Sequence, residues 1–176
     1  MSNPFPASPR RPRLDHLWSP WRLDYVTSEK PSAGCVFCLA TAGRDGLIVF
    51  EGVSTYVILN RYPYNNGHLM VVPRRHLATL VELTAEELQE VAVLTRRSEA
   101  ALRDAYKLQG INVGINLGKA AGAGIEEHLH VHLVPRWSGD TNFMTVVGET
   151  RVLPEDLASS AARLRPVFDR LAASGV

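Results

Sequence analysis

Residues 128 to 132 read His-Leu-His-Val-His, and this run constrains the fold more than any other part of the chain. Side chains on a β-strand alternate between faces, so His128, His130 and His132 share one face while Leu129, Val131 and Leu133 take the other. The run therefore predicts a strand that is apolar on one side and brings three imidazoles to one place on the other. A half-exposed strand that happens to carry histidines is the plainer reading. Three at period two, out of six in the chain, favour a functional cluster, because imidazole serves as metal ligand, nucleophile or proton carrier near neutral pH. Pro135 and Arg136 follow, a strand-ending residue and a fixed cation beside the cluster.

The surrounding sequence supplies a sheet and two helices. Residues 47–51 and 55–60 read as two strands joined by the short link Gly52-Val-Ser. His68-Leu-Met-Val-Val72 is a third, after a loop marked by Pro63, Asn65, Asn66 and Gly67. Thr84-Ala-Glu-Glu87 is a capping box, and Leu88, Val91, Thr95, Ser98, Leu102 and Tyr106 recur at helical spacing behind it, which predicts one long helix over about 85 to 107 with Gly110 as its stop. Ile111 to Asn116 returns to strand character, and Gly118 to Gly124 is a small-residue loop leading into the histidine run. Leu157, Ala161, Leu164, Phe168 and Leu171 lay a stripe along a C-terminal helix over roughly 154 to 173, with Pro166 as an expected kink or break. Strands mixed with one long helix indicate the α+β class, a mainly antiparallel sheet with helices packed on it.

A chain of 176 residues with 45% apolar content suits a single domain, residues 1–176. No apolar run is long enough to span a bilayer, and residues 1–24 form a Pro/Arg-rich arm without a signal peptide's apolar segment. A cytoplasmic protein with no membrane partner is the expectation. The formal net charge of +1 gives no global reason to expect nucleic acid. Two tryptophans in His16-Leu-Trp-Ser-Pro-Trp-Arg22 are candidates to anchor the arm on the domain or on a neighbouring subunit. Cys35 and Cys38 are the only cysteines, and Cys-x-x-Cys in such a chain suggests a metal knuckle or a redox pair more than a structural disulfide. The flanking sequence lacks the strand and helix that normally frame a redox pair. Zinc needs two further ligands, and the histidines offer them.

His128-Leu-His-Val-His-Leu-Val-Pro135 resembles the signature of the histidine-triad (HIT) family, and the likeness extends to Asn60-Arg-Tyr-Pro-Tyr-Asn-Asn-Gly-His-Leu-Met-Val-Val-Pro-Arg-Arg-His76 and to Asn112-Val-Gly-Ile-Asn116. It covers about residues 33 to 137 in recognisable order. The resemblance implies a HIT-like fold, a homodimer formed by extending the sheet, with a tetramer left open, and nucleotidyl transfer through a covalent adenylyl-histidine. It makes His130 the nucleophile on an α-phosphorus, His132 a donor to phosphate oxygens and His128 the third catalytic-segment histidine. It places Asn60 at the ribose and Asn116 at the phosphates or leaving group, although turn or strand-end roles stay open for both asparagines.

One departure narrows the subfamily. Many members carry Gly-Gln-Ser/Thr-Val before the triad, where this chain has Ala123-Gly-Ile-Glu-Glu127. Backbone amides of the loop containing Lys119, Gly122 and Gly124, with the Lys119 charge, are the expected replacement anion site. Pro135-Arg-Trp-Ser-Gly-Asp-Thr-Asn-Phe-Met144 and the segment from Tyr62 to Met70 resemble bacterial diadenosine tetraphosphate phosphorylases of this family. Those use an adenine dinucleotide and inorganic phosphate. Trp137 stacks on a base or closes the pocket in that reading, or belongs to the core. The family also suggests a structural zinc held by Cys35, Cys38, His76 and His128, or else packed thiols with the metal lost; no organic cofactor is implied. The alternatives are a hydrolase of dinucleoside polyphosphates or nucleoside phosphoramidates through the same intermediate, and a nucleotide-binding regulatory module without turnover.

Overall fold

The computed structural model describes residues 34–43, 46–140 and 155–175. The anticipated N-terminal arm at residues 1–24, and residues 141–144 of the extension behind the triad, lie outside the described residues. Five short runs of alternating or continuous apolar residues form β1 (Ile48–Glu51), β2 (Thr55–Leu59), β3 (Leu69–Pro73), β4 (Gly110–Ile115) and β5 (Val131–Arg136). They make one sheet in the order β1-β2-β3-β5-β4, antiparallel throughout. The α+β architecture expected from the sequence is the one observed.

The period of two sorts the sheet into two working faces. Val57, Leu59, Leu69, Val71, Val131 and Leu133 pack on one side. Against them lie the apolar stripes of α2 (Ala85–Tyr106) and α3 (Leu157–Ala173), through Leu94, Leu102, Leu164 and Phe168 among others. Tyr56, Ile58, Met70 and Val72 point the other way, where Phe37 and Ala40 of the short helix α1 (Val36–Gly43) cover them. Strands β2 and β3 are buried on both faces, which is why they read as unbroken apolar runs.

The long helix begins as its capping box requires. Thr84 Oγ1 accepts from the Glu87 amide at 3.2 Å and the Glu87 carboxylate accepts from the Thr84 amide at 2.9 Å, an arrangement that contributes about 1 kcal/mol. Its end differs from expectation. Lys107, at φ 47°, is the left-handed cap, and the Gln109 amide already donates to the Arg136 carbonyl at 3.1 Å. Gly110 is therefore the first residue of β4 and not the helix stop.

Two proline expectations also change. Pro135 lies inside β5, paired with Ile111; the β3 ladder has ended at Leu133, so a residue without an N–H is tolerated where only one neighbouring strand remains. Pro166 sits within an unbroken α3, whose start is fixed by Asp156 accepting from the Ser159 amide at 2.8 Å. Among the described residues no helix is long and apolar enough to cross a membrane.

Candidate active site and metal centre

The histidine run enters the sheet between β3 and β4. His132 lies opposite Met70 on one side and Gly114 on the other, and a side chain at Gly114 would meet nothing within 4 Å. The lack of a side chain there leaves the histidine face open. Residues 128–130 lead into the strand ahead of its first paired residue, Val131. The rings of His130 and His132 lie edge to face, with centroids 4.7 Å apart, and His128 is buried behind them.

Hydrogen bonds assign each ring a distinct role. His130 Nδ1 is 2.8 Å from the His128 carbonyl oxygen. A carbonyl only accepts, so Nδ1 carries the proton and Nε2 keeps a lone pair. His128 Nε2 is 2.8 Å from the Pro73 carbonyl, which by the same reasoning leaves His128 Nδ1 as an acceptor or ligand atom. Burial holds the pKa of His130 below the ordinary imidazole value, against the opposing effect of its bond to the His128 carbonyl. The ring is neutral at pH 7, as a nucleophile must be.

His68 is the residue that sequence reasoning missed. It is fully buried, its Nδ1 accepts from the Tyr64 amide at 3.1 Å, and its Nε2 lies 3.0 Å from His132 Nδ1. An accepting Nδ1 puts the His68 proton on Nε2, which donates to His132 Nδ1 and so leaves the His132 proton on Nε2. Burial, then the neighbouring imidazoles His132 and His130, lower the His68 pKa to about 3. Burial and His130 lower that of His132 to about 4. Both rings are neutral at pH 7. The chain from the Tyr64 amide through His68 makes His132 a hydrogen-bond donor beside the His130 lone pair. The signal for His68 was in the sequence, a histidine opening an apolar strand, but its partner lies 64 positions away.

A cleft of about 340 Å³ opens next to His132 and is lined by Asn112, Asn116, Tyr64, Asn65, Arg136 and Asp140 among others. Asn116 is thus brought to the triad. Asn60 stands at the end of β2, its Oδ1 accepting from the Tyr62 amide at 2.9 Å, which is a turn-closing geometry. Arg136 is engaged by Asp140, with contacts at 2.6 and 2.9 Å, and by Asn112 at 3.1 Å; it is a structural ion pair at the rim. Trp137 takes the core alternative of its two readings. Its ring packs on the helix-side core and edge to face with Tyr106, 6.5 Å between centroids, because it follows the end of β5 on the side facing α2.

Lys119 and Gly122 bracket a short turn in the exposed loop, with Gly118 at φ 78° and Gly122 at φ 86°. The amides of Ala121 and Ala123 donate to the Gly118 carbonyl and that of Gly122 to the Lys119 carbonyl. Those three amides serve the loop itself, so an anion would have to use others. Gly124 is exposed on the same loop.

On the far side of His128 the four expected metal ligands converge. Cys35 Sγ and Cys38 Sγ lie 3.2 and 3.7 Å from His128 Nδ1, and Cys38 Sγ is 3.5 Å from His76 Nδ1. All four ligand atoms lie within 4.8 Å of one another. Zinc with Zn–S near 2.3 Å and Zn–N near 2.05 Å at tetrahedral angles requires N···S edges of about 3.6 Å, so the residues fit a closed four-coordinate ion. The His128 Nε2 bond to Pro73 is the outer-shell contact that orients such a ligand. Burial and the adjacent Cys35 push the Cys38 thiol pKa up; a divalent cation would reverse this and hold thiolates.

Comparison with known proteins agrees with this geometry. The HIT domain model matches residues 43–139. The chain is 39% identical over 171 residues to the AP-4-A phosphorylase of Mycobacterium tuberculosis (strain ATCC 25618 / H37Rv), covering 92% of this chain and 88% of that protein. It is 28% identical over 133 residues to the bis(5'-adenosyl)-triphosphatase of Dictyostelium discoideum, covering 72% of this chain and 88% of that one. A crystal structure of a Zn-bound histidine triad family protein from Mycobacterium smegmatis superposes with a TM-score of 0.66 at 29% identity, over 80% of this chain and 97% of that chain. The matched span takes in β1 to β5 together with the histidine run, and the chain belongs to the HIT domain family.

Proposed function

We propose that this protein is a nucleotidyltransferase that cleaves diadenosine tetraphosphate by phosphorolysis, giving ATP and ADP. The observation that carries this is the pair of fixed tautomers: a lone pair on His130 Nε2, set by the His128 carbonyl, beside an N–H on His132 Nε2, set by His68. Likeness to the mycobacterial phosphorylase over most of both chains supports the choice of substrate and acceptor.

In the first step His130 Nε2 attacks the α-phosphorus. The N–P bond forms as the P–O bond to the leaving ATP breaks, and the ring becomes a phosphorylated imidazolium whose Nδ1–H points at the His128 carbonyl dipole. The His132 N–H stabilises charge that grows on the phosphate oxygens. In the second step an oxygen of inorganic phosphate attacks the same phosphorus, the P–N bond breaks, and ADP leaves with His130 restored. Asn116 supports the phosphates, Asn60 the ribose, and Lys119 with the loop from Gly118 to Gly124 holds the acceptor anion. Cys35, Cys38, His76 and His128 would hold zinc, which would tie α1 to the segments after β3 and before β5 and would supply no reacting group.

The partly exposed edge strand β4, with Val113 outward, supports a homodimer formed by sheet extension. Reduced thiols in the ligand set suit the cytoplasm. Incubating the protein with diadenosine tetraphosphate, with and without inorganic phosphate, and separating the products tests the reading. ADP and ATP formed only with phosphate is the expected result. Phosphate-independent formation of AMP and ATP would make the protein a hydrolase; nucleotide binding without turnover would make it a binding module.

A further inference from the structure

We infer that Phe37, between the two cysteines, is a positioning residue for His130, so that the metal knuckle acts on the reaction partly through this aromatic ring. This rests on the reading of His130 as nucleophile. Phe37 is only 3% exposed. Its ring centroid lies 5.0 Å from that of His130, at 46°, and 5.3 Å from that of His128, at 66°. Its own carbonyl accepts from Tyr56 Oη at 2.8 Å in the interior.

The geometry explains why such a contact is needed. A single hydrogen bond from Nδ1 to the His128 carbonyl fixes one end of the His130 ring but leaves its plane free to swing about the bond. Phe37, 5.0 Å away at 46°, and His132, 4.7 Å away at 81°, both pack against that ring, which removes that freedom and sets the direction of the Nε2 lone pair. Cys35 precedes α1 and Cys38 lies in its first turn, so an ion bound by both immobilises the peptide on either side of Phe37. His128 joins the two ends, since its Nδ1 faces the thiols and its carbonyl holds His130. Metal binding thus reaches the nucleophile along two short routes, one through the His128 peptide and one through the Phe37 ring.

A Phe37→Leu substitution keeps apolar bulk and removes the flat ring. In the zinc-loaded full chain with diadenosine tetraphosphate and phosphate, kcat falls about tenfold or more while KM stays within about twofold, because a misdirected nucleophile weakens the transition state and not substrate binding. Zinc content stays at the wild-type level. In the substrate-free protein, nitrogen-15 NMR shows the His130 Nδ1–H exchanging faster with solvent than in wild type. Unchanged kcat and unchanged exchange would overturn the inference. So would a rise in KM at constant kcat, which would make Phe37 a wall of the nucleotide pocket and not a support of the nucleophile. If Phe37→Leu loses metal or does not fold, Tyr56→Phe replaces it, releasing the Phe37 carbonyl without touching the ring; kcat falls about threefold at constant KM, and an unchanged kcat overturns the inference. A wild-type protein inert towards every dinucleoside polyphosphate would sink the proposed function instead, with the NMR comparison still deciding whether Phe37 positions His130.

Discussion

His68, immediately before β3, and His132 of β5 meet ring to ring, Nε2 to Nδ1 at 3.0 Å, with the Tyr64 amide closing the chain behind His68. Neither ring can accept a proton without losing a donor–acceptor match inside the protein. Their folded pKa values of about 3 and about 4 lie below the ordinary value of 6.5. The unfolded chain therefore binds protons first, and stability contributed by the pair is complete above pH 6.5 and is lost as pH falls towards 4 and then 3. Thermal melts from pH 7.5 to 4 should show a falling Tm, and replacing His68 with Gln should flatten that slope. A wild-type Tm that stays constant down to pH 4 would contradict the neutral pair.

Replacing His130 with Asn should abolish turnover and leave nucleotide binding within a few fold, on the order of the wild-type affinity, because the amide approximates the ring's shape but forms no phosphoramidate. Trapped adenylyl-protein, visible by mass spectrometry as an acid-labile adduct in wild type, should be absent from the variant. Residual turnover above a small fraction would place the nucleophile elsewhere.

Metal analysis of protein purified without chelator should return zinc at one ion per chain. Chelation should lower the Tm, since ligands from α1, the segment after β3 and the segment before β5 would then be held by packing alone. Cys38→Ser should reproduce the effect of the chelator, and protein free of any metal with an unchanged Tm would remove the site.

Phosphate selection should depend on the loop before the triad. Gly122 lies at φ 86°, where any side chain strains the backbone, so Gly124 is the cleaner position to alter. Gly124→Val should raise the phosphate concentration needed for half-maximal rate several fold, on the order of fivefold, with nucleotide affinity nearly unchanged. Equal changes in both would mean that the loop shapes the whole pocket.

The amino-acid sequence alone determined the five strands and the two long helices, but not the short helix α1. Period-two alternation singled out the three histidines, although only His132 lies within β5, and Thr84 with Glu87 began the long helix at the residue where it is found. These are local properties, set by strand pleat and by hydrogen bonds three residues apart, so they survive reading in one dimension. The resemblance carried by the histidine run brought Cys35, Cys38, His76 and His128 together before any distance was known.

Tertiary structure decided everything that depends on which surface a side chain meets. His68 became the orienting partner of His132 only because β3 and β5 are neighbours. Trp137 went to the core because of its position at the end of β5, against Tyr106 of α2. Lys107 ended the helix ahead of Gly110 because the following residues were already paired to β5. Phe37 reached His130 through contacts made across more than ninety residues of sequence. Such pairings are set by sheet order and by the packing of a helix on one face, and no local pattern in the chain encodes them.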